Sequence, residues 1–143
     1  MDFAPEETHL ALQRMANEHA TEHARERVQG GRPIVEHQTV GFMLCENLIE
    51  LVASRRALQA AAWAAGGEEA PDRGSAAALR ESYLMQVFVS EACERIARRS
   101  MEVWGGAGYM TEALMERLVR DMTSFMHSGE MMHSLRARAM SMI

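Results

Sequence analysis

Arg27-Val28-Gln29-Gly30-Gly31-Arg32-Pro33-Ile34-Val35-Glu36-His37-Gln38 decides the fold, because it ends one long helical pattern and opens another. Upstream, Pro5 followed by Glu6 and Glu7 makes a good helix start. Proline suits the first turn, and acids suit the positive end of the helix dipole. Leu12, Met15, Ala16 or His19, His23 and Arg27 recur at helical spacing, which predicts a first helix to about Gln29. Gly30-Gly31 stops it, and Arg32-Pro33-Ile34 opens a second helix, expected from Pro33 to Ala65. At 1.5 Å per residue that helix is about 50 Å long. Its apolar stripe reads Ile34, Phe42, Cys45, Leu48, Ile49 and Val52.

Gly66-Gly67 closes the second helix, and Glu68 to Gly74, with Pro71-Asp72-Arg73-Gly74, reads as an exposed turn. Ser75 is placed to cap a third helix carrying Leu79, Tyr83, Val87, Cys93, Ile96 and Trp104, which stops at Gly105-Gly106. Thr111 is the expected cap of a fourth helix through Leu114, Leu118 and Asp121 to about His127. A break at Ser128-Gly129 leaves a short fifth helix. Long helices joined by glycine turns predict an all-α, up-down four-helix bundle with a short extra C-terminal helix, one domain over 1–143.

Composition agrees. The chain has 143 residues, 48% hydrophobic and 24% charged, and only 3 prolines, an ordinary balance for one domain with a real core. All 15 basic residues are Arg, which with the many alanines points to a GC-rich, bacterial genome. The net charge of -5 and the lack of a basic block argue against a nucleic-acid partner. No apolar run reaches membrane-spanning length, and the acidic N-terminus lacks the marks of a signal peptide, so the expected location is the cytoplasm. Cys45 and Cys93 read as small buried apolar groups. The 13 methionines read first as core packing.

Three segments together resemble the C-terminal helical domain of acyl-CoA dehydrogenases. The opening stretch is similar to the family's Arg-x-x-Phe-Gly-x-Pro-Ile-x-x-x-Gln. Trp104-Gly105-Gly106-Ala107-Gly108-Tyr109-Met110-Thr111-Glu112 resembles Gly-Gly-x-Gly-Tyr-x-x-Glu, and Glu116-Arg117-Leu118-Val119-Arg120-Asp121 resembles the following helix with its Arg-Asp pair. The resemblance implies a bundle that, in the family, follows an N-terminal helical domain and a β-domain, makes the oligomer interface and reaches FAD. The chain is expected to hold the bundle without those two domains.

The family reaction takes two hydrogens from an acyl-CoA, a proton to a carboxylate and a hydride to FAD. Arg27 matches the family Arg at the flavin phosphate, and Gln38 a family Gln near the same cofactor. Gly30 stands where the family has an aromatic, and Glu102 where it has a Gln. Counting from Arg120-Asp121 puts Gly129 at the position of the family base and Glu130 beside it. The resemblance therefore implies no FAD held by the chain alone, and FAD only through an acyl-CoA dehydrogenase partner, with Arg27 and Gln38 as its contacts.

The expected activity is binding, or a non-redox cyclisation, isomerisation or elimination, on a hydrophobic acyl or polyketide-like small molecule. His127, Glu130 and Tyr109 are the candidate proton-transfer groups, since a His–carboxylate pair in an apolar pocket suits acid/base work. The alternatives are a subunit completing a partner's flavin site, and a structural helical dimer without ligand. A homodimer or higher homo-oligomer is expected. His19-Ala20-Thr21-Glu22-His23 has the H-x-x-E-H spacing of some zinc sites, but no third ligand is evident and no metal is expected.

Overall fold

A computed structural model describes residues 5–66, 75–127 and 131–143. Five helices carry the chain: α1 (Pro5–Glu26), α2 (Gln38–Gly66), α3 (Ala76–Trp104), α4 (Leu114–Ser124) and α5 (Met132–Met140). Helix α3 is the hub and packs on all four others. Asn47 bonds Ser100 and Glu50 bonds Arg95 and Arg99, which sets α2 antiparallel to α3. The chain forms the expected four-helix bundle, with α5 added against α3.

Three clusters make the core along the bundle. Ala20, Ala24, Ile34, Leu44 and Val103 pack at one end. Ala16, Leu51, Cys93, Ile96, Ala97, Met115, Leu118 and Met122 fill the middle. Val87, Met132 and Leu135 seat α5. Trp104 packs against both of the first two clusters. Ionic ties supplement them: Glu50 binds Arg95 at 2.6 Å and Arg99 at 2.9 Å, and Arg136 of α5 pairs with Glu91 of α3.

Several boundaries depart from the sequence reading. Helix α1 ends at Glu26, not near Gln29, because Val28–Gln29 (β1) pairs antiparallel with Arg32–Pro33 (β2) around Gly30-Gly31. Both glycines have positive φ, 64° and 81°, the requirement of a tight two-residue hairpin turn. A 3-10 turn, Ile34–Glu36, follows, so α2 starts at Gln38 and not at Pro33. Ser75 caps α3 as read, its side chain accepting from the Ala78 N–H, and Gly105 ends it at φ 59°. Thr111 is not the cap of α4. Ala113 holds that position, without a side-chain bond, and α4 stops at Ser124 short of His127.

Apart from Ile34, which is buried in the turn before the helix, the apolar stripe read for α2 faces outward. Phe42 is 59% and Ile49 62% exposed, and Cys45, Leu48 and Val52 are exposed beside them. The inward face is Leu44, Asn47, Leu51 and Ser54. Cys45 is thus a surface thiol, whereas Cys93 is buried as read. Leu79 on α3 is also exposed. Helix α1 likewise buries Gln13, Ala16, Asn17, Ala20 and Ala24 in place of the larger apolar groups expected there. Small and polar residues let α1 approach its neighbours closely. Met115, Met122 and Met132 are core groups, while Met110, Met131 and Met140 are exposed.

Candidate functional site

The end of α1, the β1–β2 hairpin, the start of α2 and the end of α3 enclose a cleft of about 670 Å³. Local chemistry fixes its walls. The Arg27 N–H donates to the His23 carbonyl at 2.9 Å, and the Arg27 carbonyl accepts from the Ile34 N–H at 2.8 Å. Arg27 is thereby held at the junction of helix and hairpin with its guanidinium exposed. Among the described residues it makes no salt bridge.

In the same cleft the His23 ring stacks on Trp104, centroids 4.2 Å apart and planes 14° from parallel. His37 Nε2 lies 3.0 Å from the Gln29 carbonyl oxygen. The His37 ring sits 3.5 Å from where a Gly30 Cβ would stand. Ile34, Val40, Met43 and Val103 supply apolar wall, and Glu102 stands exposed at the rim. Burial, aided by the nearby Arg27 charge, pushes the His23 pKa below its ordinary value of 6.5. The neutral imidazole is therefore its main form at neutral pH. The Trp104 Nε1 donor is buried without a partner among the described residues. One cleft thus offers a cation, a neutral imidazole, stacked rings and an apolar wall. That set suits an elongated ligand with an anionic end and an apolar end.

The sequence-read residues divide. Arg27 and Glu102 line this cleft, and Gln38 is exposed at the first residue of α2, between the lining residues His37 and Thr39. Tyr109 is 78% exposed on the turn after α3, and His127 is exposed beyond α4; neither lines the cleft. Glu130 lies outside the described residues. His23, His37 and Trp104 are the residues whose joint placement the sequence reading missed. The i, i+4 spacing of His23 and Arg27 was the available signal, since it sets both on one helix face. The H-x-x-E-H spacing does not assemble a metal centre: among the described residues no group of three metal-type ligands occurs. Among them, too, no helix is long and apolar enough to cross a membrane.

The fold and the cleft define a helical-bundle domain that presents a polar and aromatic ligand cleft at one end. Residues 8–129 match the acyl-CoA dehydrogenase C-terminal domain, and the chain belongs to the acyl-CoA dehydrogenase family. It is 35% identical over 129 residues to a 3-sulfinopropanoyl-CoA desulfinase of Cupriavidus necator, covering 90% of this chain and 31% of the relative. It is 33% identical over 112 residues to an acyl-CoA dehydrogenase of Bacillus subtilis, 78% of this chain and 28% of the relative. The crystal structure of acyl-CoA dehydrogenase from Geobacillus kaustophilus superposes with a TM-score of 0.82 at 20% identity, over 93% of this chain and 33% of that one. The chain spans about a third of the length of the curated relatives it matches. The family is FAD-dependent, with FAD bound where domains meet, and its members are typically oligomeric.

Proposed function

We propose that this bundle serves a non-redox step of the elimination or isomerisation class on an acyl thioester, held in the cleft beside Arg27. The observation that carries the reading is the cleft's division into a cationic end and an apolar wall. Arg27 would meet the phosphates of an acyl-CoA, and Ile34, Val40 and Met43 its apolar portion. The desulfinase name of a relative supports this substrate class, because it describes loss of sulfinate from an acyl-CoA.

A proton next to the thioester carbonyl must leave in such a step. His23, neutral at pH 7 and seated in the cleft, is the base this reading assigns. His127, Glu130 and Tyr109 form the competing assignment. Exchange of the acyl α-proton into deuterated water, followed by NMR, separates the two. His23→Gln should abolish exchange and leave binding intact. Loss of exchange in His127→Gln or Glu130→Gln, with His23→Gln unaffected, would move the base to the second set.

FAD fits the chain only in part. Arg27 suits a phosphate-bearing cofactor. Gly30 offers no ring to it, and the Glu102 carboxylate at the rim opposes its charge as it opposes that of any phosphate in the cleft. FAD supplies hydride chemistry when bound, and here its contacts would come from Arg27 and Gln38 together with another domain or subunit. This second reading rests on the exposure of both residues at the same end of the bundle. Retention of FAD only after mixing with an acyl-CoA dehydrogenase partner is its test.

A homodimer completes the proposal. Phe42, Cys45, Leu48, Ile49 and Val52 form a continuous exposed apolar face on α2, larger than scattered surface residues account for. Ile49→Glu should convert the chain to a monomer in sedimentation velocity. An unchanged oligomer would exclude this face.

A further inference from the structure

The two histidines of the cleft are oriented by different means. His37 Nε2 meets the Gln29 carbonyl oxygen at 3.0 Å, so a hydrogen bond fixes that ring. Among the described residues, no hydrogen bond or ion pair holds either ring nitrogen of His23. Glu26 acts on it through charge alone. The last side-chain torsion of histidine has broad wells, so an untethered ring turns readily. A base histidine is ordinarily fixed by a carboxylate or carbonyl on the nitrogen that does not take the proton.

His23 has a ring in place of that bond. Its imidazole lies on the Trp104 indole, centroids 4.2 Å apart and planes 14° from parallel. At that spacing the two faces touch, and turning the imidazole would drive its edge into the indole. The indole is itself well held. Trp104 is the last residue of α3 and packs against two core clusters. Gly105 ends the helix at φ 59°, and the turn that follows brings Gly108 against Trp104. A Cβ at Gly108 would stand 2.6 Å from Trp104 Cβ and 3.4 Å from its Cγ, so the turn closes on this side chain only with glycine there.

We propose that Trp104 is the positioning residue of His23. Its indole face holds the imidazole in one plane of the cleft and leaves both ring nitrogens free to receive a substrate proton. Gly108 keeps the indole in place. This role presupposes that His23 is the base of the proposed reaction. Aromatic pairs are favoured beyond their burial by a factor of roughly 2 to 12, which sets the size of the effect.

The full chain with butyryl-CoA as probe tests the role in Trp104→Leu and Trp104→Phe. In the wild type the indole should shift the His23 ring protons upfield in NMR spectra, and His23→Gln assigns those signals. Trp104→Leu should return them toward the positions of a free imidazole. It should also slow α-proton exchange at saturating butyryl-CoA by roughly 2- to 12-fold, with the half-saturation concentration little changed. Trp104→Phe keeps an aromatic face and should restore most of both.

Unshifted His23 protons in the wild type, or Leu and Phe variants that exchange equally fast, overturn the proposal. So does a change in half-saturation alone, which would make Trp104 a piece of binding wall. Exchange in His23→Gln at the wild-type rate removes the base itself, and the positioning role with it. That result differs from an inactive His23→Gln beside an unslowed Trp104→Leu, which refutes the positioning role alone. Should Trp104→Leu fail to fold by circular dichroism, Gly108→Ala takes its place, because it displaces the indole without deleting it. Slower exchange with displaced His23 signals then supports the role, and wild-type exchange with displaced signals refutes it.

Discussion

Replacing Gly108 by Ala tests how Trp104 is held. A Cβ added at Gly108 would stand 2.6 Å from Trp104 Cβ and 2.9 Å from Met101 Sδ. The Met101 thioether can swing aside, but Trp104 Cβ is fixed to the α3 backbone, so the last turn of α3 must shift. Overpacking of this kind costs about 1–3 kcal/mol, and the rigid partner favours the upper part of that range. The lower chain entropy of unfolded Ala relative to Gly returns roughly 0.5 kcal/mol. The net expectation is a loss of about 2 kcal/mol, or a melting point roughly 5–10 °C lower. Gly106 provides the control, because a Cβ there meets nothing within 4 Å. Gly106→Ala should stay within about 0.5 kcal/mol of wild type. Urea unfolding with linear extrapolation reads both variants on one scale. A Gly108→Ala loss no larger than that of Gly106→Ala would refute the packing argument.

Other expectations follow from the same geometry. Glu50→Ala removes the shared partner of Arg95 and Arg99 and should cost about 1–3 kcal/mol in urea unfolding, whereas Arg14→Ala, whose pair with Glu18 is solvent-exposed, should cost no more than about 0.5 kcal/mol. The folded-state pKa of His23 is depressed, so its contribution to stability is fully present above the ordinary value of 6.5. As pH falls below that value the unfolded chain takes up the proton first and stability declines, levelling off below the folded pKa. An NMR titration of the His23 ring checks the direction, and His23→Gln should flatten that part of the pH–stability curve. Burial pushes the Cys93 thiol up to about 12, so an aromatic disulfide reagent at mildly alkaline pH should spare Cys93 in the folded chain and modify it after denaturation. Rapid labelling of Cys93 in the native protein would contradict its burial.

Much of the fold is legible in local chemistry. Ser75 and Gly105 bound α3 because a capping hydroxyl and a positive-φ glycine act within a few residues of themselves. The hairpin at Gly30-Gly31 was harder to read. A glycine pair that stops a helix and one that turns a hairpin look alike until the strands on either side pair. The face of α2 misled for a different reason. Apolar periodicity marks one face of a helix, and it does not say whether that face lies in the core or on the surface. Gln13, Asn17, Asn47 and Ser54 are the converse case, polar residues on the buried face. At the site, Arg27 was legible through its motif. His23 and Trp104 lie 81 positions apart in the chain, and only the packing of α1 on α3 stacks their rings.

We propose an acyl thioester as the ligand of the Arg27 cleft, taken without a flavin of the chain's own. Calorimetric titration of the purified chain with an acyl-CoA, in parallel with FAD followed by visible absorbance after gel filtration, tests it directly. Saturable acyl-CoA binding that weakens at least tenfold in Arg27→Gln (about 1.4 kcal/mol), together with a chain that leaves the column colourless, is the predicted result. Stoichiometric FAD carried through the column by the chain alone, with no acyl-CoA binding, would contradict it.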